Sequence, residues 1–264
     1  MNENEVEVLV VTTKQTNYDL LNRMNIQSNA IVGNQTDNDG KQTFDYNGHK
    51  IVWLNFSERG VGLNRNNVLM RAGADVCVLA DDDMVFHDNY LETVKKVFEE
   101  NKKADVIIFN IDESNPTRYV NKKIKRINKR NYGRYGAARI AFKRESVFLN
   151  GISFNLLFGG GTKYSCGEDT LFLKDCLDKK LKVYAVPVSI AKLIDGERES
   201  TWFKGYTDKF FYDKGVLYYC LSKKLCKLLS LYHCIRHRGL YKEYGIKQAY
   251  RQMVKGINDV KKRK

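Results

Sequence analysis

The sequence has few of the features that divide a chain into separate modules or carry it across a membrane. Only two of its 264 residues are proline, and no Gly/Ser/Pro-rich linker or internal repeat interrupts it. We therefore expect one large domain, or one domain with an appendage. No window reaches the roughly 18 uninterrupted apolar residues that a spanning helix requires. The first seven residues are polar and acidic, the reverse of a signal peptide.

Cysteine and histidine are sparse, and their spacing argues against several kinds of site. The six cysteines form no C-x-x-C pair and no dense framework, so a disulfide scaffold is not expected and a reducing cytoplasm fits best. His233 and Cys234 lie near Cys226. Their spacing within a helical pattern argues against zinc.

Acidic residues become rare towards the C-terminus. Residues 204–264 hold 16 Lys/Arg and 4 Asp/Glu, a net charge of +12, whereas residues 1–203 carry only +2. We therefore divide the chain into a body, 1–203, and a basic helical extension, 204–264. Apolar residues recur there at three- and four-residue steps, at Leu217, Leu221, Leu225, Leu228, Leu229, Tyr232 and Ile235. Such an amphipathic helix either packs on the body or lies on an anionic membrane surface.

Runs of strand length alternate with helical patterns through the body. Apolar, β-branched runs predict strands at Val6–Thr12, Ala30–Gly33, Val76–Ala80, Val106–Asn110, Ala138–Phe142 and Val183–Val188. Helical spacing predicts helices at Asn17–Met24, Val61–Ala72, Asn89–Asn101 and Gly167–Leu181. Asn47-Gly48 predicts a type I′ hairpin, and residues 117–136 predict a mobile loop or an irregular hairpin. The alternation indicates an α/β fold, with a mostly parallel sheet flanked by helices.

Three consecutive aspartates, Asp81, Asp82 and Asp83, follow the predicted strand Val76–Ala80. Open α/β sheets bind ligands at the carboxyl ends of their strands. Three adjacent carboxylates repel one another unless a cation or hydrogen-bond donors compensate them. Such oxygen-rich clusters suit Mg²⁺ or Mn²⁺, which in turn suit phosphate oxygens. The other interpretation is a solvated turn before the next helix.

A second acidic pair, Glu168-Asp169, follows Gly167 and opens a predicted helix. Taken alone, the pair fits an ordinary helix start, since carboxylates in a first turn are favoured by the helix dipole. The glycine run Phe158–Thr162 precedes it. Glycine there allows either close backbone approach to a ligand or a simple hinge.

Together these segments resemble the family 2 glycosyltransferases of GT-A (Rossmann-like, nucleotide-binding) fold. The matching pieces are the first strand, the segment Arg59–Asn66, the aspartate triplet as a DxD element and Gly167-Glu168-Asp169 as an ED element. They occur in the family's order over roughly residues 5–190. The resemblance implies transfer of a sugar from a nucleotide diphosphate donor to an acceptor hydroxyl, with inversion.

The resemblance also assigns roles to the acids. It makes Asp169 the general base, which is worth on the order of 10²–10⁴ in rate, and Glu168 a ligand of the acceptor. Asp83, assisted by Asp81 or Asp82, would hold Mn²⁺ or Mg²⁺ against the leaving diphosphate. No histidine follows the last predicted strand within Val188–Trp202, so a third metal ligand is not identified.

Further positions are expected to bind the donor. Thr12 and Thr13 lie where such enzymes begin the nucleotide pocket, and Arg65 matches an Arg-Asn pair near the diphosphate or uracil. A surface helix arginine is the alternative for Arg65. Many relatives carry an Asp-Asp-Ser-like element after the second strand. Here that stretch offers only Asn34 or Asp37 in its place, which leaves the base of the donor open. UDP is the default donor nucleotide, with dTDP or GDP as alternatives.

The acceptor side is less defined. The backbone at Gly160 is expected to approach a sugar, and Trp202 offers either a stacking face or a core side chain. Many bacterial relatives elongate glycans on lipid carriers for capsule, exopolysaccharide or O-antigen. The expected acceptor is therefore a glycan or lipid-linked saccharide. The expected location is the inner face of the cytoplasmic membrane, contacted through the basic extension.

Other classes explain less of the sequence. A nucleotidyltransferase would carry a glycine- and Arg/Lys-rich phosphate loop after the first strand, which Thr12–Thr16 lacks. An isoprenoid-type DDxxD site fails because residue 85 is valine. A nucleic-acid or polyanion binding protein is the non-enzymatic alternative, because a basic, tyrosine-containing tail attracts phosphate. No nucleic-acid binding module is recognisable in that tail, so no nucleic-acid partner is expected.

Overall fold

A single twisted sheet organises the body of the protein. The computed structural model describes residues 5–114, 118–194, 203 and 205–262. Within them the strands are β1 (Val6–Thr13), β2 (Asn29–Gln35), β3 (Gly40–Tyr46), β4 (His49–Phe56), β5 (Val76–Asp81), β6 (Met84–Phe86), β7 (Val106–Asp112), β8 (Lys125–Arg126), β9 (Ile140–Lys143) and β10 (Val183–Leu193). The helices are α1 (Asp19–Arg23), α2 (Val61–Leu69), α3 (Tyr90–Glu100), α4 (Arg144–Leu149), α5 (Glu168–Asp178), α6 (Asp208–Leu221), α7 (Cys226–Arg236) and α8 (Ile246–Lys262). The expected α/β class is therefore confirmed.

The strand order is β3-β4-β2-β1-β5-β9-β7-β10-β6, with β8 pairing to β10. Strands β4, β2, β1 and β5 are parallel neighbours, and β7 is parallel to β10. Strand β9 lies antiparallel between β5 and β7. The sheet is thus mostly parallel on the side that carries the N-terminal half. There the carboxyl ends of β1, β2 and β5 meet at one edge.

Alternation of side chains along each strand builds a core on both faces of the sheet. In β1, Val8 and Val10 pack with α1 and α3 on one face, whereas Leu9 and Val11 pack with α2 and α5 on the other. Asn47 and Gly48 both have positive φ, 53° and 81°, as the type I′ hairpin between β3 and β4 requires.

Loop 118–136 follows an irregular path, as predicted, and buried hydrogen bonds anchor it. Asn121 N–H donates to Asn110 Oδ1 at 2.9 Å, and Asn110 Nδ2 donates to the Asn121 carbonyl at 3.0 Å. Arg139 donates through Nη1 to the Tyr119 carbonyl of the loop at 3.0 Å and through Nε to the Phe109 carbonyl of β7 at 2.8 Å. These bonds hold the loop against the end of β7.

The extension is helical, as expected, but residues 222–225 separate α6 from α7. Helices α6 and α8 approach closely because each has a glycine at the contact. A Cβ on Gly215 would lie 2.0 Å from the Met253 carbonyl oxygen, and one on Gly256 would lie 2.3 Å from that of Tyr212. The boundary predicted at 203/204 adjoins residues outside the described ranges and stays a prediction.

Candidate functional site

The aspartate triplet lies at the carboxyl edge of the sheet, next to the end of β1. Val11 pairs with Asp81 across the two parallel strands. Thr12 Oγ1 donates a hydrogen bond to Asp82 Oδ2. Asp81, Asp82 and Asp83 are half-buried, as expected of groups lining a cleft at this edge. The family resemblance predicted Thr12 at the start of the nucleotide pocket, and the structure brings it into contact with the triplet.

Arg65 joins this edge to Glu168 and Asp169, the acidic motif at the start of α5. From α2, its Nη2 donates to Asp81 Oδ1 at 2.8 Å, and its Nη1 donates to Asp169 Oδ1 at 2.8 Å and to Glu168 Oε1 at 3.1 Å. The guanidinium also lies 5.4 Å from the centre of the Phe154 ring. Its side chain is only 5% exposed, so the alternative of a surface helix arginine is wrong.

Three carboxylates surround this one guanidinium, and burial together with repulsion between neighbouring carboxylates shifts the pKa values of the acids at the site. Burial, and then the neighbouring Glu168 carboxylate, raise the pKa of Asp169 to about 7, although Arg65 opposes the shift. Burial, and then the charges of Asp81 and Asp82, raise the pKa of Asp83. Burial disfavours charge on Arg65, but the three carboxylates raise its pKa above the usual range. The site therefore holds excess negative charge.

Glycines allow the acidic motif to pack closely against its neighbours. Gly167 has φ 124°, and a Cβ there would lie 2.7 Å from Leu217 Cδ1 of α6. Gly159 has φ 105°, and a Cβ there would lie 2.8 Å from Glu168 Cδ. The Gly160 carbonyl accepts from Val61 N–H at 3.0 Å. These glycines thus position Glu168 and the start of α2. Contact between Gly160 and an acceptor stays a prediction.

The predicted donor-binding residues occupy different environments. Asn34 is fully buried, and its amide bonds Gln15 and Asn55, so it holds the loop after β1. Asp37 is exposed and forms an ion pair with Arg59 at 2.6 Å. Thr13 is exposed at the end of β1. Their roles towards a donor stay predictions.

Trp202 lies outside the described residues.

Several residues that contact the site were not predicted from the sequence. The backbone amide of Ala137 lowers the pKa of the Asp169 carboxyl, against the larger effect of burial, and a Cβ on Gly136 would stand 3.4 Å from Asp169 Oδ2. Gln35 Oε1 accepts from Gly60 N–H at 2.9 Å, fixing the start of α2. Phe154 underlies Arg65. No motif marks these positions, because each acts through a chain segment that is remote in sequence.

The C-terminal helices complete the wall behind the acidic motif. Asp213 of α6 is buried and accepts from Ser165 N–H at 2.9 Å and from Ser165 Oγ at 2.6 Å. Leu217 packs with Phe158 and Leu171 in one apolar cluster. The extension therefore supports the loop that precedes Glu168 and Asp169.

Residues that would hold a metal are limited to oxygen donors. In the ranges that the structure describes, no group of three or more His, Cys, Asp or Glu side chains is arranged to hold a metal ion. The predicted ligands Asp81 and Asp83 supply two carboxylates.

None of the six cysteines is in a disulfide. Among the described helices, none combines the length and apolar content needed to span a bilayer.

The comparisons with known proteins agree with this fold. The sequence model of "Glycosyl transferase family 2" matches residues 15–158. The crystal structure of Staphylococcus aureus TarS 1–349 in complex with UDP-GlcNAc superposes with a TM-score of 0.64, at 13% identity, over 91% of this chain and 74% of that one. TarS 1–349 in complex with UDP gives 0.61, at 12% identity, over 98% and 92%. No curated protein sequence matches.

Proposed function

The chain belongs to glycosyl transferase family 2, and we propose that it transfers a sugar, with inversion, from a nucleotide diphosphate donor to an acceptor hydroxyl. One observation carries the proposal: the buried Arg65 bonds Asp81 at the sheet edge and Asp169 at the start of α5. The two acids are thus close neighbours, and we place the donor diphosphate at the first and the acceptor hydroxyl at the second, on opposite sides of the sugar. That arrangement is what direct displacement requires.

Asp169 is the group proposed to take the acceptor proton. Inversion needs a base on the side of the sugar opposite the leaving group, and Asp169 bonds Arg65 through Nη1, whereas Asp81 bonds it through Nη2. A base is most effective when its pKa is near the working pH, and burial raises that of Asp169 to about 7. Glu168, beside it and also bonded to Arg65, is proposed to orient the acceptor.

UDP is the proposed donor nucleotide, with dTDP and GDP as alternatives. The support is the fold shared with S. aureus TarS, whose structures contain UDP-GlcNAc and UDP. Thr12, Thr13, Arg65, Asp81 and Asp82 are proposed to contact the donor. Thr12 already bonds Asp82 at the edge where the diphosphate would bind.

The donor set suits a hard divalent ion such as Mn²⁺ or Mg²⁺, which prefers carboxylate and phosphate oxygens. Asp83 and Asp81 are proposed to hold it. A bound ion would neutralise charge on the departing nucleoside diphosphate. The negative charge that Arg65 leaves uncompensated is consistent with a cation at this place.

Replacing Asp83 with Ala is expected to weaken Mn²⁺-dependent UDP binding at least tenfold, since one of two proposed ligands is lost. Calorimetry with UDP, with and without Mn²⁺, measures the effect. The matched control is Glu100→Ala, an exposed carboxylate at the end of α3. Unchanged UDP affinity of the Asp83 variant in Mn²⁺ would refute the ligand role.

A panel of nucleotide sugars tests the function as a whole. A ligand at 100 times its Kd stabilises the folded state by about 2.7 kcal/mol, or on the order of 5 °C in Tm for a chain of this size. We expect one UDP-sugar to give such a shift with Mn²⁺, together with slow donor hydrolysis. Salt-sensitive retention of DNA or RNA, without any donor turnover, would instead support the polyanion-binding alternative.

The proposed acceptor is a glycan or lipid-linked saccharide of capsule, exopolysaccharide or O-antigen synthesis. The proposed place is the cytoplasm, peripheral at the inner face of the cytoplasmic membrane. Support comes from the charge of +12 on residues 204–264, since anionic lipid attracts basic segments. Extracting glycolipid from cells and assaying it as acceptor with the identified donor tests this pairing.

A further inference from the structure

Helix α7 (Cys226–Arg236) is oriented with its large apolar side chains towards solvent. The side chains it buries are small: Cys226, Ser230 and Cys234. Leu228 and Tyr232 are each 62% exposed. Folding normally buries leucine before serine, because burial of a leucine side chain is worth about 1.5–3 kcal/mol. The orientation of α7 therefore leaves an apolar surface unused by the fold.

The exposed apolar residues form one continuous stripe. They recur at steps of three, four or one, so they share one side of a helix. The stripe consists of Leu225, Leu228, Leu231, Tyr232 and Ile235, all exposed. Contiguous apolar surface of this kind marks an interaction site more often than scattered exposed leucines do.

The charge around the stripe identifies the kind of partner. Residues 222–242 contain six Lys or Arg and no Asp or Glu. Lys223 and Lys224 precede α7, Lys227 lies within it, and Arg236 ends it, all exposed. A second copy of the chain would bring an equally basic surface against this one and be repelled. An anionic surface with an apolar interior would satisfy both features.

We propose that α7 is the element that docks the enzyme on an anionic lipid bilayer, lying in the interface with its apolar stripe among the acyl chains. Its 11 residues extend about 16 Å, roughly half of the ~30 Å hydrocarbon core, so the helix lies on the membrane. Amphipathic helices with lysine beside an apolar face bind in this way. The inference deepens the proposed function, on which it rests for its biological purpose.

The fold connects this surface to the acidic motif. Four residues, 222–225, link α7 to α6, and Leu217 of α6 packs against Gly167. A bilayer under α7 would therefore hold the acceptor side of the enzyme at a fixed distance from lipid-linked substrate. Free swinging of the domain on a linker is not expected.

Vesicle sedimentation of the full-length protein tests the proposal. Vesicles of phosphatidylglycerol and phosphatidylcholine in equal parts are compared with pure phosphatidylcholine at low salt. Leu228→Glu combined with Tyr232→Glu is expected to weaken binding to the anionic vesicles at least tenfold. The matched control is Leu149→Glu, whose leucine is 78% exposed on α4; it should bind as the parent does.

A second variant changes charge and leaves the stripe intact. Replacing Lys223, Lys224 and Lys227 with Gln should weaken anionic binding on the order of 100-fold, since each basic group near such a surface contributes about a factor of five. Unchanged circular dichroism and Tm show that both variants fold.

Three results would overturn the proposal. The first is failure of the parent protein to bind anionic vesicles, and the second is binding by the Leu228/Tyr232 variant within twofold of the parent. The third is a dimer in analytical ultracentrifugation that this variant alone dissociates, which would make a second copy the partner of the stripe. Donor hydrolysis without vesicles is measured in parallel. Its absence in the parent would refute the proposed function, whereas its retention in the α7 variants separates docking from chemistry.

Discussion

Replacing Asp169 with Asn is expected to lower sugar transfer by about two to four decades, the range that a general base contributes. In the parent, Arg65 Nη1 lies 2.8 Å from Asp169 Oδ1. The asparagine side chain has the same size and keeps one carbonyl oxygen that can accept this hydrogen bond. The substitution removes the carboxylate that is proposed to take the proton of the acceptor hydroxyl. Donor binding, which involves the sheet edge at Asp81, should therefore remain.

Two measurements separate loss of the base from loss of structure. Calorimetry should give the same UDP affinity for the variant and the parent, and transfer to the acceptor should fall in kcat. Glu168→Gln is the informative comparison. Loss of the Glu168 carboxylate should raise the KM for the acceptor more than it lowers kcat. Asp175→Asn, a half-exposed aspartate on the same helix, is the control and should be neutral. Near-normal transfer by the Asp169 variant would remove it from the mechanism.

The positions of the acids were predictable because they depend on local patterns. Val76–Ala80 is apolar and β-branched, so a buried strand and an acidic turn at its end follow directly. Parallel pairing then brings the ends of β1 and β5 together, as the Val11–Asp81 register shows. The mostly parallel sheet was predictable for the same reason.

Other parts of the sheet and site depend on contacts between remote segments. Strand β9 was predicted as a strand, but its antiparallel insertion between β5 and β7 leaves no trace in its own four residues. Arg65 lies 104 residues before Asp169, and its burial is decided by Phe154 and the three acids. A helical pattern shows only that Arg65 is on α2, with no signal for which face carries it.

The extension shows the limit of periodicity most clearly. The apolar residues at three- and four-residue steps correctly predicted helix, yet they continue through the break at 222–225. Leu217 is buried against the body, whereas Leu228 is exposed on the next helix. Periodicity identifies an apolar side of a helix but carries no information about what covers it. The packing interpretation is therefore confirmed for α6, whereas the membrane interpretation stays a proposal for α7.

Replacing Arg65 with Met is expected to destabilise the protein by about 3–5 kcal/mol, because removing one partner of a buried ion pair leaves its charges uncompensated. For a chain of this size that corresponds to roughly 6–10 °C in Tm. Transfer should also be lost, since Arg65 positions Asp81, Glu168 and Asp169. Arg65→Lys keeps the positive charge but reaches fewer carboxylate oxygens. Its Tm and its transfer activity should therefore lie between those of the parent and those of Arg65→Met.

The pH dependence of the loss of stability in Arg65→Met distinguishes an electrostatic effect from a loss of packing. The pKa of Asp169 is raised from 3.8 to about 7 in the folded protein, so ionisation of this group destabilises the fold as pH rises through that window. Without Arg65 the folded-state pKa rises further, and the window extends upward. The Tm difference between parent and Arg65→Met should therefore be largest at pH 8 and shrink towards pH 5. Arg71→Met, an exposed arginine just beyond α2, is the control. A difference that is constant across this range would show that Arg65 acts by packing against Phe154, and that the three acids do not depend on its charge.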